Sequence, residues 1–387
     1  MDTIRIKTRD SYNVYLGKGI LQGLPGLLND TSYEAISGRN LIYIVTDRNV
    51  SRHYLKGIIR GLKKNGYKIK YSVFSPGEAL KNNQSLFKLL QTMVKRGLTR
   101  DSVVIGLGGG VIGDFSGFAA SIYMRGCGFI QIPTTLLAQV DSSVGGKVGI
   151  NLKEGKNLVG SFYNPVFVLS DISTLHTLEA REIICGLAEI IKSGLIFSKE
   201  LFEDVLDFVR DYIGENKKTP PPVEIKKLLL SDMDFLQEII HKSVSIKGEI
   251  VRVDERESDL RMILNFGHTF GHAVEKLTRY RRFLHGEAVL LGMKIASELS
   301  LACGRIGEND LRKIRGLLNI FGIPSVKGLK AKTIFNQLGV DKKKREGKIH
   351  YIVLDEIGRA VPETEIDESK VIGCIEKVLA EQDGNNK

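Results

Sequence analysis

A chain of 387 residues exceeds the size at which one hydrophobic core stops growing, so two domains are expected. Hydrophobic residues make up 42% and charged residues 26%, and no apolar run approaches the roughly eighteen residues of a bilayer span, which argues against a helical membrane protein. The formal charge of +11 is scattered among Asp and Glu, with no zinc-finger spacing, RNA-recognition signature or aromatic–basic alternation, so an anionic small molecule is expected as partner rather than nucleic acid or membrane.

The amino terminus, MDTIRIKTRD, lacks the apolar core of a secretion signal. Cys127, Cys185, Cys303 and Cys374 lie far apart with no C-x-x-C, which indicates neither a disulfide framework nor a sulfur-ligated metal and suits a reducing cytoplasm. LIYIVTD (41–47) is a short apolar run ending on Asp47, and YKIKYSVF (67–74) is a second with partial alternation. Ser85 to Gly97 has helical period and a glycine stop. DSVVIGLGGG and GFIQIPTT read as two further buried strands. Strands alternating with helices predict a mostly parallel sheet covered on both faces. From about residue 179 the pattern changes to long helical periods: REIICGLAEIIKSGLIF, then VEIKKLLLSDMDFLQEIIHKSVSIKGEIV, then a histidine-rich region. GENKKTPPP (214–222) reads as a loop, the run Lys342 to Arg345 as a solvated loop, and KIHYIVLDEIG (348–358) as a late hairpin. The expected division is 1–178, an α/β domain of Rossmann-like type, and 179–387, a mainly helical domain, with no internal repeat.

Two glycine-rich stretches stand out. Gly108 to Gly113 matches G-x-G-x-x-G between a strand and an apolar segment. Glycine there lets backbone approach a pyrophosphate whose charge meets free N–H groups at a helix start. A tight strand-to-helix turn without ligand has the same pattern, and no acidic residue ends a strand twenty residues on; Asp47 is the alternative partner for a ribose hydroxyl. In PTTLLAQVDSSVGGKVGINLKEGKNLVGSF, Asp141, Lys147, Lys156 and Asn157 sit among glycines. Lysines on such backbone suit phosphate, though ordinary surface lysines look alike. The stretch Asn265 to His285 holds three of the seven histidines. His268 and His272, at i and i+4, share a helical face, and His285 opens another apolar run. Two imidazoles and a third folding back make a candidate divalent-metal shell. Without the Glu of H-E-x-x-H, buried hydrogen-bonded or solvent-facing histidines fit the spacing equally.

GGGVIGD, IPTTLLAQVDSSVGGKVGIN, EGKNLVGSF, GLAEIIKSG, LNFGHTFGHA, HGEAV and DKK, in this order and spacing, resemble the motifs of the 3-dehydroquinate synthase family from about residue 41 to 358. The wider superfamily includes other sugar phosphate cyclases and metal-dependent polyol dehydrogenases, which are the alternatives. The resemblance implies an active site in the cleft between the two domains. It implies Glu189, His268 and His285 as ligands of a divalent metal, zinc or cobalt, and moves His272 out of the metal shell. It implies NAD+ against Asp47, Pro76, Gly77, Glu78, Lys81, Gly109, Gly110, Val111, Ile112, Gly113, Asp114, Thr134, Thr135, Lys147, Lys156, Thr174 and Thr177. Substrate contacts fall on Asp141, Lys147, Asn157, Lys192, Lys247, Arg261, Asn265, His272 and Lys342 or Lys343. Arg125 matches an arginine that reaches a neighbouring subunit, implying a homodimer. Val148, Leu152 and Glu179 depart from the usual Thr, His and Pro, which bears on fine geometry only. The implied reaction takes 3-deoxy-D-arabino-heptulosonate 7-phosphate, a sugar acid phosphate, to 3-dehydroquinate and phosphate. Its steps are NAD-dependent oxidation, phosphate elimination, re-reduction and aldol closure.

Overall fold

A computed structural model describes residues 1–30, 32, 36, 41–213, 220–256, 260–342 and 349–385. Contacts divide the chain into two compact units, Met1–Leu178 with Lys247–Arg256, and Glu179–Ile246 with Glu257–Lys387. The segment Lys247–Arg256, which the sequence places in the helical half, makes its contacts with the first unit.

In the first unit a seven-stranded sheet has the order β1-β2-β9-β6-β5-β3-β4. The strands are β1 (Asp2–Ile6), β2 (Tyr12–Gly17), β3 (Leu41–Asp47), β4 (Lys68–Phe74), β5 (Val103–Gly108), β6 (Gly128–Pro133) and β9 (Phe167–Asp171). Only the β1–β2 pair is antiparallel. The expected parallel core, β4-β3-β5-β6, is therefore present, and β2 and β9 extend it by a pairing between residues 13–17 and 167–171. A parallel sheet must bury both faces. Along β3, Ile42 and Ile44 enter one apolar cluster with Ile105, Ile132 and Phe167. Tyr43 and Val45 enter the opposite one with Leu89, Phe115 and Phe129. The second glycine-rich stretch forms an antiparallel hairpin of β7 (Lys147–Leu152) and β8 (Gly155–Phe162). Val148 packs into the Phe115–Phe129 cluster, so an apolar side chain suits that position.

The second unit is built on helices, with one hairpin of β10 (Tyr351–Glu356) and β11 (Arg359–Glu363) as expected. The stretch that reads as one long helix is two, Pro222–Ser231 and Met233–Val253. Asp232 breaks it by accepting the Phe235 N–H at 2.9 Å, a side-chain cap that restarts the helix. Three helices carry the site: Ala180–Phe197, His268–Leu277 and His285–Ala302. Among the described residues no helix is long and apolar enough to cross a membrane.

The third of these helices packs backbone to backbone against the other two. A Cβ at Gly292 would overlap the Gly267 carbonyl and stand 2.9 Å from the Gly271 nitrogen, and one at Gly286 would overlap the Cys185 backbone. Main chain cannot swing away as a side-chain tip can, so Gly292→Ala is expected to cost about 1–3 kcal/mol. A lower urea midpoint at unchanged slope would register this; an unaltered midpoint would mean the helices part freely.

Candidate active site

Glu189 lies mid-way along the Ala180–Phe197 helix and is 1% exposed. Neither carboxylate oxygen has a hydrogen-bond partner, although Lys192 Nζ makes an ion pair with Oε2 one turn further on. His268 Nε2 and His285 Nε2 stand 3.6 Å and 3.7 Å from Glu189 Oε1. Ligand atoms around a tetrahedral cation with bonds of about 2.0–2.1 Å stand about 3.3 Å apart. Glu189 Oε1 thus stands within a few tenths of an ångström of that spacing from each histidine, and the three donor atoms all lie within 4.8 Å of one another. Lys192 compensates Oε2, whereas the buried Oε1 has no partner of its own, and a divalent cation beside it and the two histidines would supply one. The residues fit the group. Burial, followed by the nearby charge of Lys192, holds the His268 pKa well below the ordinary histidine value, which keeps its imidazole neutral and able to ligate.

Local structure delivers these groups. Gly267, at φ +77°, turns the chain after the short helix Leu260–Asn265, so that His268 begins the next helix with its Nδ1 facing the Phe266 carbonyl at 3.2 Å. The helix does not extend back through Asn265. His285 is the first residue of its helix, and Glu287, its third, accepts the Leu284 N–H at 2.8 Å. Glu287 also takes both guanidinium donors of Arg181 at 2.7 Å each, which fastens the His285 turn to the Glu189 helix. Arg181 and Glu287 were not singled out in the sequence, yet a Glu two residues after His285 is a capping signal. His272 is exposed; its ring centre lies 5.3 Å from that of His268 and 5.9 Å from that of His285. Arg261 is buried at 2% exposure and Asn265 is half-buried, both on the Leu260–Asn265 turn. Lys342 ends the helix Ala331–Lys342, and Lys343 lies outside the described residues.

In the first unit, Gly109 caps the helix Gly110–Ile122 straight after β5 without any side-chain hydrogen bond. Its first amides therefore face outward, as an anion site at a helix start requires. Val111, Ile112 and Asp114 follow in that helix, and Gly113 packs where a Cβ would overlap Gln131. Thr134 and Thr135 follow β6; Thr134 Oγ1 is buried with no hydrogen-bond partner, a group that a cofactor oxygen or amide would satisfy. Lys81, 4% exposed, donates to Asp114 Oδ2 at 2.7 Å and also to Asn157 Oδ1. Burial pushes the Asp114 carboxyl up and Lys81 opposes it. Pro76 and Gly77 lead into this turn after β4, with Gly77 at φ +104°, and Glu78 accepts from Asn151 at 2.7 Å. Asn157, at φ +56°, and Lys156 lie on β8, and Lys147 begins β7. Asp47 spends Oδ1 on the Asn49 and Val50 amides at 2.7 Å and 3.1 Å, a cap the sequence did not suggest. Thr174 is buried and donates to the Asp171 carbonyl at 2.7 Å, while Thr177 meets Tyr54 at 2.6 Å. Lys247 donates to the Asp141 carboxylate at 2.7 Å and to its carbonyl, so these two form one ion pair.

Comparison with known proteins shows the family to which the chain is similar. The 3-dehydroquinate synthase N-terminal family matches residues 71–185 and the C-terminal family matches 186–344. A 3-dehydroquinate synthase of Thermoanaerobacter pseudethanolicus is 47% identical over 82% of this chain and 85% of its own length. A 2-epi-5-epi-valiolone synthase of Streptomyces hygroscopicus subsp. jinggangensis 5008, solved with NAD+ and Zn2+, superposes with TM-score 0.81 at 25% identity over 98% of this chain and 99% of that one. A 2-deoxy-scyllo-inosose synthase, solved with carbaglucose-6-phosphate, NAD+ and Co2+, superposes at 0.79 and 25% identity over 97% and 99%. Two matched domains that run without a gap through the glycine, Glu189 and histidine motifs, and a relative nearly half identical over most of both chains, place this chain in the 3-dehydroquinate synthase family.

Proposed function

We propose that this enzyme converts 3-deoxy-D-arabino-heptulosonate 7-phosphate to 3-dehydroquinate and inorganic phosphate, in the shikimate route to aromatic amino acids, with NAD+ and one divalent cation as cofactors. The observation that carries it is the cation-ready set of Glu189, His268 and His285 with the buried Lys192 beside it. An ordinary dehydrogenase has no use for that lysine, whereas a phosphate-eliminating enzyme needs cations for its leaving group.

In this reading Glu189, His268 and His285 hold the cation, which supplies positive charge that acidifies a secondary alcohol of the substrate. NAD+ against the Gly109 helix start, Lys81, Asp114 and the Thr134 hydroxyl supplies a hydride acceptor that is regenerated within each turnover. The protein's own part is to orient a doubly anionic substrate and stabilise its charge. Lys147, Asn157, Lys192 and His272 take the phosphate. Arg261 and Lys247 take the carboxylate, Lys247 being steered by Asp141. A sugar phosphate without a carboxylate offers no second anion for Arg261, which favours an acid substrate. Asn265, on the same turn as Arg261, binds a substrate hydroxyl, and Lys342 or Lys343 adds a further cation. Phosphate should appear once per turnover while NADH stays at or below the enzyme concentration. NADH formed mole for mole with substrate consumed would refute the reading.

The same proposal includes a homodimer. Met124 and Arg125 hold φ of 48° and 65°, a conformation side chains rarely adopt without a purpose. Ile122 and Met124 here, and Leu158 and Phe162 on β8, are 42%, 46%, 48% and 48% exposed. The Ser121–Ser161 hydrogen bond of 2.9 Å ties the helix end to β8 in this patch. A second copy covering it would bring Arg125 towards the partner's substrate. Met124→Lys with Phe162→Asp should weaken self-association about tenfold or more, since desolvating either charge costs over about 1.4 kcal/mol. Sedimentation velocity across a dilution series reads this out, and an unshifted profile would place the dimer contact elsewhere. A cytoplasmic location is proposed on the four cysteines, none of which forms a disulfide among the described residues.

A further inference from the structure

We infer that Glu275 is a positioning residue for the metal centre, holding the His285 ring in the tautomer that ligates through Nε2. The inference rests on the Glu189, His268 and His285 assignment and extends it. Glu275 lies on the His268 helix, two turns beyond His268, and is 4% exposed. Its Oε2 faces His285 Nδ1 at 3.4 Å, while His285 Nε2, on the other side of the ring, faces Glu189 Oε1 at 3.7 Å. A neutral imidazole carries one proton. A carboxylate beside Nδ1 draws that proton there and leaves the Nε2 lone pair for the cation. His268 has the same arrangement by a different route, its Nδ1 facing the Phe266 carbonyl at 3.2 Å and its Nε2 facing Glu189. One ligand ring is thus fixed by main chain and the other by a buried charge.

Glu275 also belongs to a second cluster, with His272 and His285, that could itself hold a cation. The two sites exclude one another, because His285 bound through Nε2 keeps its proton on Nδ1. Two features favour the first: Glu189 is deeply buried with its Oε1 accepting no hydrogen bond, and His272 is exposed and offers no preformed enclosure.

The test measures metal affinity of the full-length chain by competition with a chromophoric chelator for Zn2+ and Co2+. The variants are Glu275→Gln, Glu275→Ala and Glu189→Gln, with circular dichroism of each metal-free protein as the folding control. The expected result is one bound ion per chain throughout the Glu275 series, with affinity lowered about 10- to 100-fold by Ala and less by Gln, which keeps an acceptor oxygen. The Co2+ absorption bands should keep their shape, because the ligand set is unchanged. Glu189→Gln should lower affinity more than either and alter those bands. Unchanged affinity in both Glu275 variants would overturn the positioning role and leave the metal assignment standing. Loss of the ion in Glu275→Gln with its retention in Glu189→Gln would overturn both, and place the cation at His272, Glu275 and His285. If the Ala variant fails to fold, the near-isosteric Gln variant decides alone: affinity equal to that of the unmodified chain would overturn the inference.

Discussion

Glu189→Gln is expected to lower turnover by about 10³-fold or more and to leave the purified protein with little bound zinc or cobalt. A cation at such a site contributes several kcal/mol of charge stabilisation, and each 1.36 kcal/mol is tenfold in rate. The amide keeps the shape of Glu189 but offers the cation no charge, and it brings a donor into a place where both histidine Nε2 atoms lie within 3.7 Å. The loss should therefore show in metal content as well as in rate. Chelation of the unmodified enzyme should give the same loss, reversed by Zn2+ or Co2+ but not reversed in the variant. A variant that retains a full equivalent of metal and normal turnover would show that Glu189 is no ligand. Arg181 and Glu287 would then be no more than a structural tie between two helices.

Lys192→Met should lower kcat/KM about 10- to 200-fold while leaving NAD+ affinity nearly unchanged. One charge-assisted contact is worth about 1.5–3 kcal/mol, and the methionine keeps the volume of the buried stem. Lys192 is 2% exposed, so bulk salt screens it little, and a cation added to the buffer should not restore the rate. Its position one turn from Glu189 has a second consequence. Removing an ammonium beside a ligand carboxylate leaves that carboxylate freer for a cation, so metal affinity should hold or rise. Isothermal titration with NAD+ and steady-state kinetics together separate the alternatives. An equal loss in NAD+ binding would move Lys192 from substrate to cofactor, and an unaltered rate would remove it from the site.

The amino-acid pattern by itself determined the parallel core of the first unit, because β3, β5 and β6 are buried on both faces and read as mostly apolar runs. It also determined the Glu189 helix and the late hairpin, whose periods of 3.6 and 2 are local properties of the chain. It brought His268 and His272 to one helical face, again a matter of local spacing. The resemblance of whole motifs then implied Glu189 as a ligand and placed His272 among the substrate contacts, which spacing alone does not suggest. Tertiary structure decided what depends on residues distant in sequence. The pairing of β2 with β9 joins segments more than a hundred residues apart, and neither strand has a pattern that names its partner. The β7–β8 hairpin was hidden by its glycines, which favour turns in composition but here allow close cross-strand contact at Gly149 and Gly160. Lys247 joins Asp141 although most of its own helix lies in the other unit. Glu275 acquires a role only when His285 turns its Nδ1 toward it. Local periodicity fixes which way a side chain leaves its own helix or strand; which atom it meets there is set by packing between elements, and that information is not carried by any one stretch of the chain.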